Sequence, residues 1–450
     1  MNLKELDDSS DTGYQLSRHL IPSKSVPGTS LRDLTQLFVS CGFFISFIVA
    51  AYLQRGRFDQ LFLFDAPDTP PVPGAFYPGP LGVHTFGDFL QPLWQSRLTP
   101  SPFITGYSSY MPAANGLFWI LSWLPFWIAF GTLVAFSIAT LLFPFWMVDS
   151  EADYWVRGQL LVGGVILAYP VLSALDRGNI QFLTIGLIAL AMYLRREQRW
   201  AYAGICLGIA IGLKVYPFLF LFLFLKRKSW KSTAFALGTA ASVTAIPLLL
   251  FDGGLGKNVR ALLSNLGSSQ TELSSLALFS NNSLTALGLS SVSVGLSTFG
   301  NFLNNNMSLI VSMLCLLLLV SCFARDIEDL EIALLVSSVC TLAISFSAGY
   351  VLMIFLVPAW IVYDGRSQLS DKRILFYSLC IAFLMMPKQI PLRFWADSYR
   401  QDSASLASFL NPLVMLILVT AISGRAAYTS WKTWCARGAL NPHIPSNIGS

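Results

Sequence analysis

The stretch of sequence that decides the fold is STAFALGTAASVTAIPLLL at residues 232–250, which contains no Asp, Glu, Lys or Arg. A second stretch of the same kind, MSLIVSMLCLLLLVSCF, occupies residues 307–323. A helix that crosses the hydrocarbon core of a bilayer needs roughly 17–25 predominantly apolar residues. Both stretches therefore predict transmembrane helices, and we expect the chain to be an integral membrane protein.

The composition of the whole chain agrees with this prediction. Of the 450 residues, 54% are hydrophobic and 12% are charged, whereas soluble domains carry about 25% charged residues. So few charges cannot cover a water-soluble globule of this size, and lipid must cover much of its surface. The formal net charge of +5 fits basic cytoplasmic loops and gives no reason to expect binding to nucleic acid.

Cysteine and histidine are not arranged as in a metal site. The seven cysteines lie mostly within apolar stretches without a CxxC pair, which is typical of small buried side chains rather than disulfides or metal ligands. The histidines, His19, His84 and His443, are scattered along the chain. The sequence also has no glycine-rich phosphate loop ending in Lys-Ser or Lys-Thr. We therefore expect no metal, no cofactor and no nucleotide sugar as donor.

Apolar segments recur along the chain and predict its organisation. Their lengths favour an all-α bundle of about 12 transmembrane helices within residues 34–423. Polar tails at residues 1–33 and 424–450 flank this bundle. Two long polar segments, residues 54–112 and 251–306, interrupt the apolar pattern and are interpreted as loops.

Basic residues set the predicted orientation, because short loops rich in Lys and Arg stay in the cytoplasm. Both termini are then cytoplasmic in the cell (inner) membrane, while Lys214 and both long loops are extracytoplasmic. The alternation works only if one of the four apolar candidates before Arg195 is re-entrant or broken. Part of residues 113–148 is favoured, and such segments line cavities. The basic clusters are Arg195, Arg196 and Arg199; Lys226, Arg227, Lys228 and Lys231; Arg366, Lys372 and Arg373; and Arg425, Lys432 and Arg437.

The first candidate for a catalytic residue is Asp88, which stands in the sequence FGDFL of the first extracytoplasmic loop. A carboxylate among apolar side chains is suited to act as a general base. The simpler interpretation is that Asp88 caps a short helix or pairs with Arg97. Rival carboxylates in the same loop are Asp59, Asp65 and Asp68.

Two further polar positions interrupt apolar stretches. Arg177, Asn179 and Gln181 form a hinge that is either part of a site or a turn whose Asn caps the next helix. Lys214 lies between two strongly apolar segments, where a charge is costly; it either reaches the membrane surface or neutralises a lipid phosphate. Asn282, in SNNSL, is by itself typical of a turn or a helix N-cap.

The order of these motifs carries more information than any one of them. They are GDF at 87–89, Tyr107 with YMP at 110–112, RGNIQFL at 177–183, AGICLG at 203–208 with GLKVYP at 212–217, NNSL at 281–284, and a Ser-Tyr-Pro pattern at 345–358. In this order they resemble glycosyltransferase family 87, whose members use polyprenyl-phosphate donors and have the multi-span GT-C fold. The resemblance extends over roughly residues 35–365, and its strongest segment is 203–217.

The resemblance implies a reaction and a set of site residues. A hexose or pentose, with a mannose-like sugar favoured, would move with inversion from a polyprenyl phosphate to a lipid or glycan acceptor. Family members often have a His where Gly349 stands, so Lys214 or Lys388 is expected to hold the donor phosphate instead. With Asp88 as general base, the implied substrate-binding residues are Lys214, Arg177, Asn179, Gln181, Tyr107, Tyr110, Asn282, Tyr350 and Lys388.

Three alternatives stay open at the level of sequence. A lipid or polysaccharide transporter would also use charges at broken helices, but such proteins are typically built from two related halves, and the sequence shows no internal repeat. A surface-glycan polymerase or ligase would also act on lipid-linked sugars, but tends to have its main loop late in the chain. A homologue that serves only as a partner subunit would explain Gly349.

Overall fold

The computed structural model describes residues 87–106, 108–147, 165, 168–226, 228–275, 282–324, 326–343, 349–364, 367, 369–386 and 406–440. All regular structure in these ranges is helical. Two 3₁₀ helices, Tyr216–Phe220 and Gly349–Phe355, precede the short helices α7 and α14. The α-helices are α1 Gly87–Leu98, α2 Pro112–Leu121, α3 Phe126–Trp146, α4 Tyr169–Arg177, α5 Gln181–Arg196, α6 Trp200–Leu213, α7 Leu221–Lys226, α8 Trp230–Leu250, α9 Gly254–Ser275, α10 Leu284–Ser293, α11 Ser297–Asn305, α12 Met307–Phe323, α13 Asp329–Ala343, α14 Leu356–Asp364, α15 Asp371–Met385 and α16 Leu406–Leu440.

Three of these helices are long and apolar enough to cross a membrane, namely α3, α8 and the Leu406–Cys435 part of α16. Helices α11 and α12 meet at a bend of 72° and give a fourth crossing if they are counted as one span. The protein is therefore all-helical in its described part and carries membrane-spanning helices. The predicted tail 1–33 and the start of the predicted bundle at residue 34 lie outside the described residues, so a bundle of about 12 spans stays a prediction.

Helices α6 and α8 pack closely because glycine lines one face of α6. Gly204, Gly208 and Gly212 recur every four residues, and a Cβ atom added at Gly208 would lie 2.5 Å from the backbone oxygen of Ala236 in α8. Small residues at this spacing let two backbones approach within a membrane. Lys214 follows α6 directly in an extended conformation, so this packing fixes the position of the Lys214 backbone.

The bundle has two chemically different ends. Helices α5 and α6 run antiparallel, so Gln181 at the start of α5 and Lys214 after α6 lie at one end, called the site end here. Arg195 and Arg196, at the end of α5, define the opposite end, called the basic end. The predicted cytoplasmic clusters meet there: Arg195 pairs with Asp329 at 2.5 Å, and the Lys226 ammonium donates to the carbonyl oxygen of Ala324.

The apolar stretch at 113–148 folds as two helices of different length. Helix α3 has 21 residues, whereas α2 has 10 residues, which span about 15 Å and cannot cross a hydrocarbon core of about 30 Å. Helix α2 packs along the last turns of α8, where Gly116 faces Pro247. This agrees with the prediction that one of the two apolar candidates is not a full crossing.

The segment 251–306 differs from its interpretation as a polar loop. In its described part it contains α9, α10 and α11, followed directly by α12. Hydropathy alone does not reveal α9, because the face that packs on the protein contains asparagines as well as leucines. Asn258 and Leu262 are buried, while Lys257 and Arg260 on the other face are exposed.

Candidate active site

Asp88 lies in the first turn of α1, at the site end of the bundle. Its Oδ2 atom accepts a 2.6 Å hydrogen bond from the side-chain amide of Asn179. The next residue, Phe89, is fully buried and its ring lies 5.9 Å from that of Phe118 and 5.4 Å from that of Phe130. This aromatic anchor fixes the start of α1, and therefore the direction in which the Asp88 carboxylate points.

Arg97 is not the partner of Asp88. It lies near the other end of α1, where its Nε atom donates to the carbonyl oxygen of Ser122 at 2.8 Å. Its terminal nitrogen donates to the carbonyl oxygen of Leu124 at 2.6 Å. Arg97 therefore ties α1 to the turn between α2 and α3, and the simple pairing considered from the sequence is wrong.

The side chain of Asn179 caps the start of α5, as one interpretation of the sequence expected, and it also contacts Asp88. Helix α4 ends at Gly178, whose φ of 63° is a left-handed conformation that glycine adopts without strain. The chain then turns, and the side-chain oxygen of Asn179 accepts a 2.8 Å hydrogen bond from the backbone N–H of Gln181. One end of the side chain therefore caps the start of α5, and the other end holds Asp88.

Tyr110 lies between the acidic and basic groups of the site. Its hydroxyl donates to the backbone oxygen of Asp88 at 3.2 Å, and the Lys214 ammonium lies 5.6 Å from the centre of its ring. Asp88 also acts electrostatically on Lys214. Among the described residues Lys214 forms no ion pair, so its charge faces an aromatic ring and a nearby carboxylate that it does not contact.

A second cation and a second tyrosine join this group. Tyr350 stands in the 3₁₀ helix Gly349–Phe355, within hydrogen-bonding reach of the Asn179 side chain. The charges of Asp88 and Arg177 both interact electrostatically with the hydroxyls of Tyr350 and Tyr110. The six side chains therefore form one polar cluster, the site cluster, which consists of Asp88, Tyr110, Arg177, Asn179, Lys214 and Tyr350.

Gln181 extends the site cluster toward the helical core. Its side chain is 2% exposed, and its amide lies within hydrogen-bonding reach of the hydroxyl of Tyr216. Neither the Gln181 amide nitrogen nor the Tyr216 hydroxyl forms a well-aligned hydrogen bond with any described residue. Buried polar atoms in this condition are costly and often mark a place where a ligand or ordered water completes the bonding.

Asn282 contacts the last described helix, α16. Its side-chain oxygen accepts a 2.7 Å hydrogen bond from Asn411 of α16. The next residue, Ser283, caps α10, since its hydroxyl oxygen accepts from the backbone N–H of Ala286 at 3.2 Å. These contacts match the simple interpretation of a helix start, and they give Asn282 a role in joining α10 to α16.

Two of the predicted substrate-binding residues, Tyr107 and Lys388, lie outside the described residues. In the part of the chain that the structure does describe, no three His, Cys, Asp or Glu side chains are grouped as metal ligands.

The family model of glycosyltransferase family 87 matches residues 109–348, more than half of the chain. The chain belongs to glycosyltransferase family 87. This membership indicates a membrane glycosyltransferase and confirms the resemblance drawn from the motifs. No curated protein was found to match the chain.

The family-87 region does not by itself contain the whole site cluster. It includes Tyr110, Arg177, Asn179 and Lys214, whereas Asp88 precedes it and Tyr350 follows it. The hydrogen bond from Asn179 to Asp88 therefore joins a family residue to a carboxylate contributed by an adjoining segment.

Sequence reasoning did not single out Tyr216. Tyr216 belongs to the motif GLKVYP, and a tyrosine two residues after a lysine that lies between apolar segments could have indicated a polar site. Its hydroxyl must find a polar partner wherever the chain buries it.

Proposed function

We propose that this protein transfers a sugar from a polyprenyl-phosphate donor to a hydroxyl of a lipid or glycan acceptor, at the extracytoplasmic face of the membrane. The observation that carries the proposal is that Tyr110 contacts both Asp88 and Lys214. A carboxylate suited to take a proton and an ammonium suited to hold a phosphate lie at the same end of the bundle without forming an ion pair with each other.

Asp88 is the general base in this proposal. Its carboxylate accepts one hydrogen bond from the described residues, at Oδ2, so Oδ1 is left to take the proton of the acceptor hydroxyl. The acceptor oxygen then forms the new bond to the anomeric carbon. The bond from that carbon to the phosphate oxygen breaks from the opposite face, which inverts the configuration, and the polyprenyl phosphate leaves with the electron pair.

Lys214 and Arg177 stabilise the departing phosphate. A leaving phosphate monoester gains negative charge, and fixed cations in a water-poor site stabilise that charge more strongly than they would in water. Arg177 interacts electrostatically with the hydroxyls of Tyr110 and Tyr350, and the Lys214 ammonium faces the ring of Tyr110, which supports their placement on one substrate. Lys388 stays a third predicted contributor, and a phosphate held this way would not require a His at position 349.

Gln181 and Tyr216 are proposed to bind hydroxyls of the donor sugar, because both have buried polar atoms without a well-formed bond. The preference for a mannose-like hexose or a pentose belongs to the same proposal, as does a GT-C bundle of about 12 spans with both termini in the cytoplasm. A surface-glycan polymerase or ligase would differ from this proposal in the acceptor.

The donor class is tested with the full chain reconstituted in lipid nanodiscs. Sugar transfer to a membrane extract of acceptors is measured with polyprenyl-phosphate sugars and, in parallel, with nucleotide sugars. We expect transfer from the polyprenyl-phosphate sugars alone. Lys214→Ala should raise the donor KM by roughly tenfold or more while the acceptor KM changes less, since one charge-assisted hydrogen bond contributes about 1.5–3 kcal/mol.

Lys214→Arg serves as the matched control, because it keeps the charge and should retain more donor affinity than Lys214→Ala. Transfer from a nucleotide sugar would contradict the proposed donor. An equal effect of Lys214→Ala on donor and acceptor KM would instead show that the lysine has a purely structural role.

A further inference from the structure

Helix α9 carries two buried asparagines, Asn258 and Asn265, on one face. Their spacing of seven residues is close to two helical turns, so both side chains point toward the protein. Asn258 is 0% exposed and Asn265 is 8% exposed. A buried amide is costly unless its polar atoms are bonded, so the partners of these two side chains show what α9 is built to hold.

Asn258 holds the end of α8 and the start of the loop after α1. Its amide nitrogen donates to the carbonyl oxygens of Leu248 at 3.0 Å and Phe251 at 3.1 Å. Leu248 lies in the last turn of α8, where carbonyls lack a helical partner, and Phe251 follows the helix directly. The side-chain oxygen accepts a 2.9 Å hydrogen bond from the hydroxyl of Ser101.

Asn265 holds the loop itself, described at residues 99–106 and 108–111, which leads from α1 to α2. Its amide nitrogen donates to the carbonyl oxygens of Phe103 at 2.8 Å and Ser108 at 3.1 Å. The ring of Phe103 is fully buried beneath α9, in a small core with Leu262. The loop is therefore fixed to α9 by side-chain packing and by two hydrogen bonds from one amide.

Ser108 connects this loop to Tyr110 of the site cluster. Its hydroxyl donates to the side-chain oxygen of Asn115 in α2 at 3.0 Å and accepts from the backbone N–H of Tyr110 at 3.2 Å. The amide of Asn115 in turn donates to the backbone oxygen of Tyr110 at 2.9 Å. The backbone of Tyr110 is thus held on both sides, through a chain of bonds that begins at Asn265.

We propose that Asn265 is a positioning residue for glycosyl transfer, acting through Ser108 on Tyr110. Tyr110 stands between Asp88 and Lys214, so a small shift of its ring changes the separation between the base and the cation. Asn258 has the same chemistry and burial, but its bonds end at Ser101 and α8. The inference rests on the proposed function and adds a residue from α9 that touches neither Asp88 nor Lys214 in the described contacts.

The test compares Asn265→Ala with Asn258→Ala in the full chain reconstituted in nanodiscs. Asn265→Ala should lower kcat by roughly 10–100-fold with KM values changed less than about threefold, because a displaced group costs rate rather than affinity. Asn258→Ala should destabilise the protein at least as much, yet lower kcat per folded molecule only a few-fold. Asn265→Gln, which keeps the donor group, should recover part of the lost kcat.

A double-mutant cycle with Tyr110→Ala separates positioning from general destabilisation. Once the ring is removed, misplacing it should cost nothing further, so Asn265→Ala should add little to the loss in kcat in that background, whereas Asn258→Ala should be additive. Equal effects of the two asparagine variants on kcat, or full additivity of Asn265→Ala with Tyr110→Ala, would overturn the proposal.

Hydrogen–deuterium exchange gives a readout that needs no donor. Asn265→Ala should speed exchange at residues 108–111, whereas Asn258→Ala should speed it at residues 248–252. Unchanged protection of residues 108–111 in Asn265→Ala would refute the positioning chain. If exchange responds as expected but no polyprenyl-phosphate sugar is used, then the proposed function fails while the structural coupling stands.

Discussion

The two ends of the bundle differ in whether their charged side chains form ion pairs. At the basic end three arginines pair with carboxylates: Arg195 with Asp329, Arg196 with Asp364, and Arg425 with Glu331. At the site end the carboxylate of Asp88 is held by a neutral amide, and the ammonium of Lys214 lies over an aromatic ring. The same kinds of residue therefore serve different purposes within one protein.

The difference teaches how a site keeps opposite charges ready for a substrate. Two opposite charges brought into contact in a water-poor environment would bind each other strongly, and a substrate would have to break that pair. In the proposed site Tyr110 would keep the two charges apart, because its hydroxyl bonds the backbone of Asp88 while its ring faces Lys214. At the basic end nothing separates the charges, and the resulting pairs join helices.

The largest effect is expected at Asp88. Asp88→Asn keeps the side-chain shape but removes the base, and should lower kcat by roughly 10²–10⁴-fold with little change in stability. Asp252→Asn is the matched control, because Asp252 is exposed and lies close after α8 on the same side of the bundle. Transfer kinetics and thermal unfolding of both variants give the comparison; full activity in Asp88→Asn would exclude it as the base.

The buried pair at the basic end should affect stability instead of catalysis. Glu331 is fully buried, pairs with Arg425 and accepts a 2.8 Å hydrogen bond from Tyr377. Glu331→Ala leaves the arginine without its counter-charge and should lower the free energy of unfolding by about 3–5 kcal/mol. Denaturation in detergent mixtures measures this loss, and kcat per folded molecule should stay within about twofold.

A double variant shows whether the loss comes from the orphaned charge. Replacing Glu331 and Arg425 together by leucine should restore most of the stability, since an apolar pair leaves no buried charge behind. If the double variant is as unstable as Glu331→Ala, then packing and the bond from Tyr377 account for the effect.

Part of the site was predictable from sequence because charge is rare in this chain. Asp88 and Lys214 stand out among apolar neighbours, and a charge in that setting needs a substrate or a partner. The hinge at Asn179 stands out for the same reason. That Asn179 and Lys214 lie at one end follows from the antiparallel arrangement of α5 and α6, which the alternation of spans already implied, whereas the contact between Asn179 and Asp88 depends on how α1 packs.

The supporting contacts were not predictable, because their partners are backbone atoms far away in the sequence. The bond from Asn265 to Phe103 joins residues 162 positions apart, and no property of either residue type names the other. The pairing of Glu331 with Arg425 likewise depends on how α13 packs against α16. The apolar stretches specify which segments are helical, but the packing of the helices decides which polar groups meet.

A smaller effect is expected from changing the spacer between the two charges. Tyr110→Ala should let Lys214 approach Asp88 and lower kcat by roughly 10–100-fold, whereas Tyr110→Phe keeps the ring and loses one hydrogen bond, an effect of about tenfold or less. Steady-state kinetics of the two variants measure the difference. Equal losses would mean that the hydroxyl, not the ring, is what the site requires.

The smallest effect is expected at Glu197, which shares Arg196 with Asp364. The Asp364 contact is 2.5 Å with its side chain 11% exposed, while the Glu197 contact is 3.2 Å with its side chain 38% exposed. Water and salt weaken the more exposed pair, so Glu197→Ala should change the free energy of unfolding by less than about 1 kcal/mol. Asp364→Ala should cost several times more, because it removes the less exposed counter-charge of a mostly buried guanidinium. Since both carboxylates act on one arginine, unfolding titrations of the two variants isolate burial as the variable; similar losses would show that charge pairing at the basic end does not depend on it.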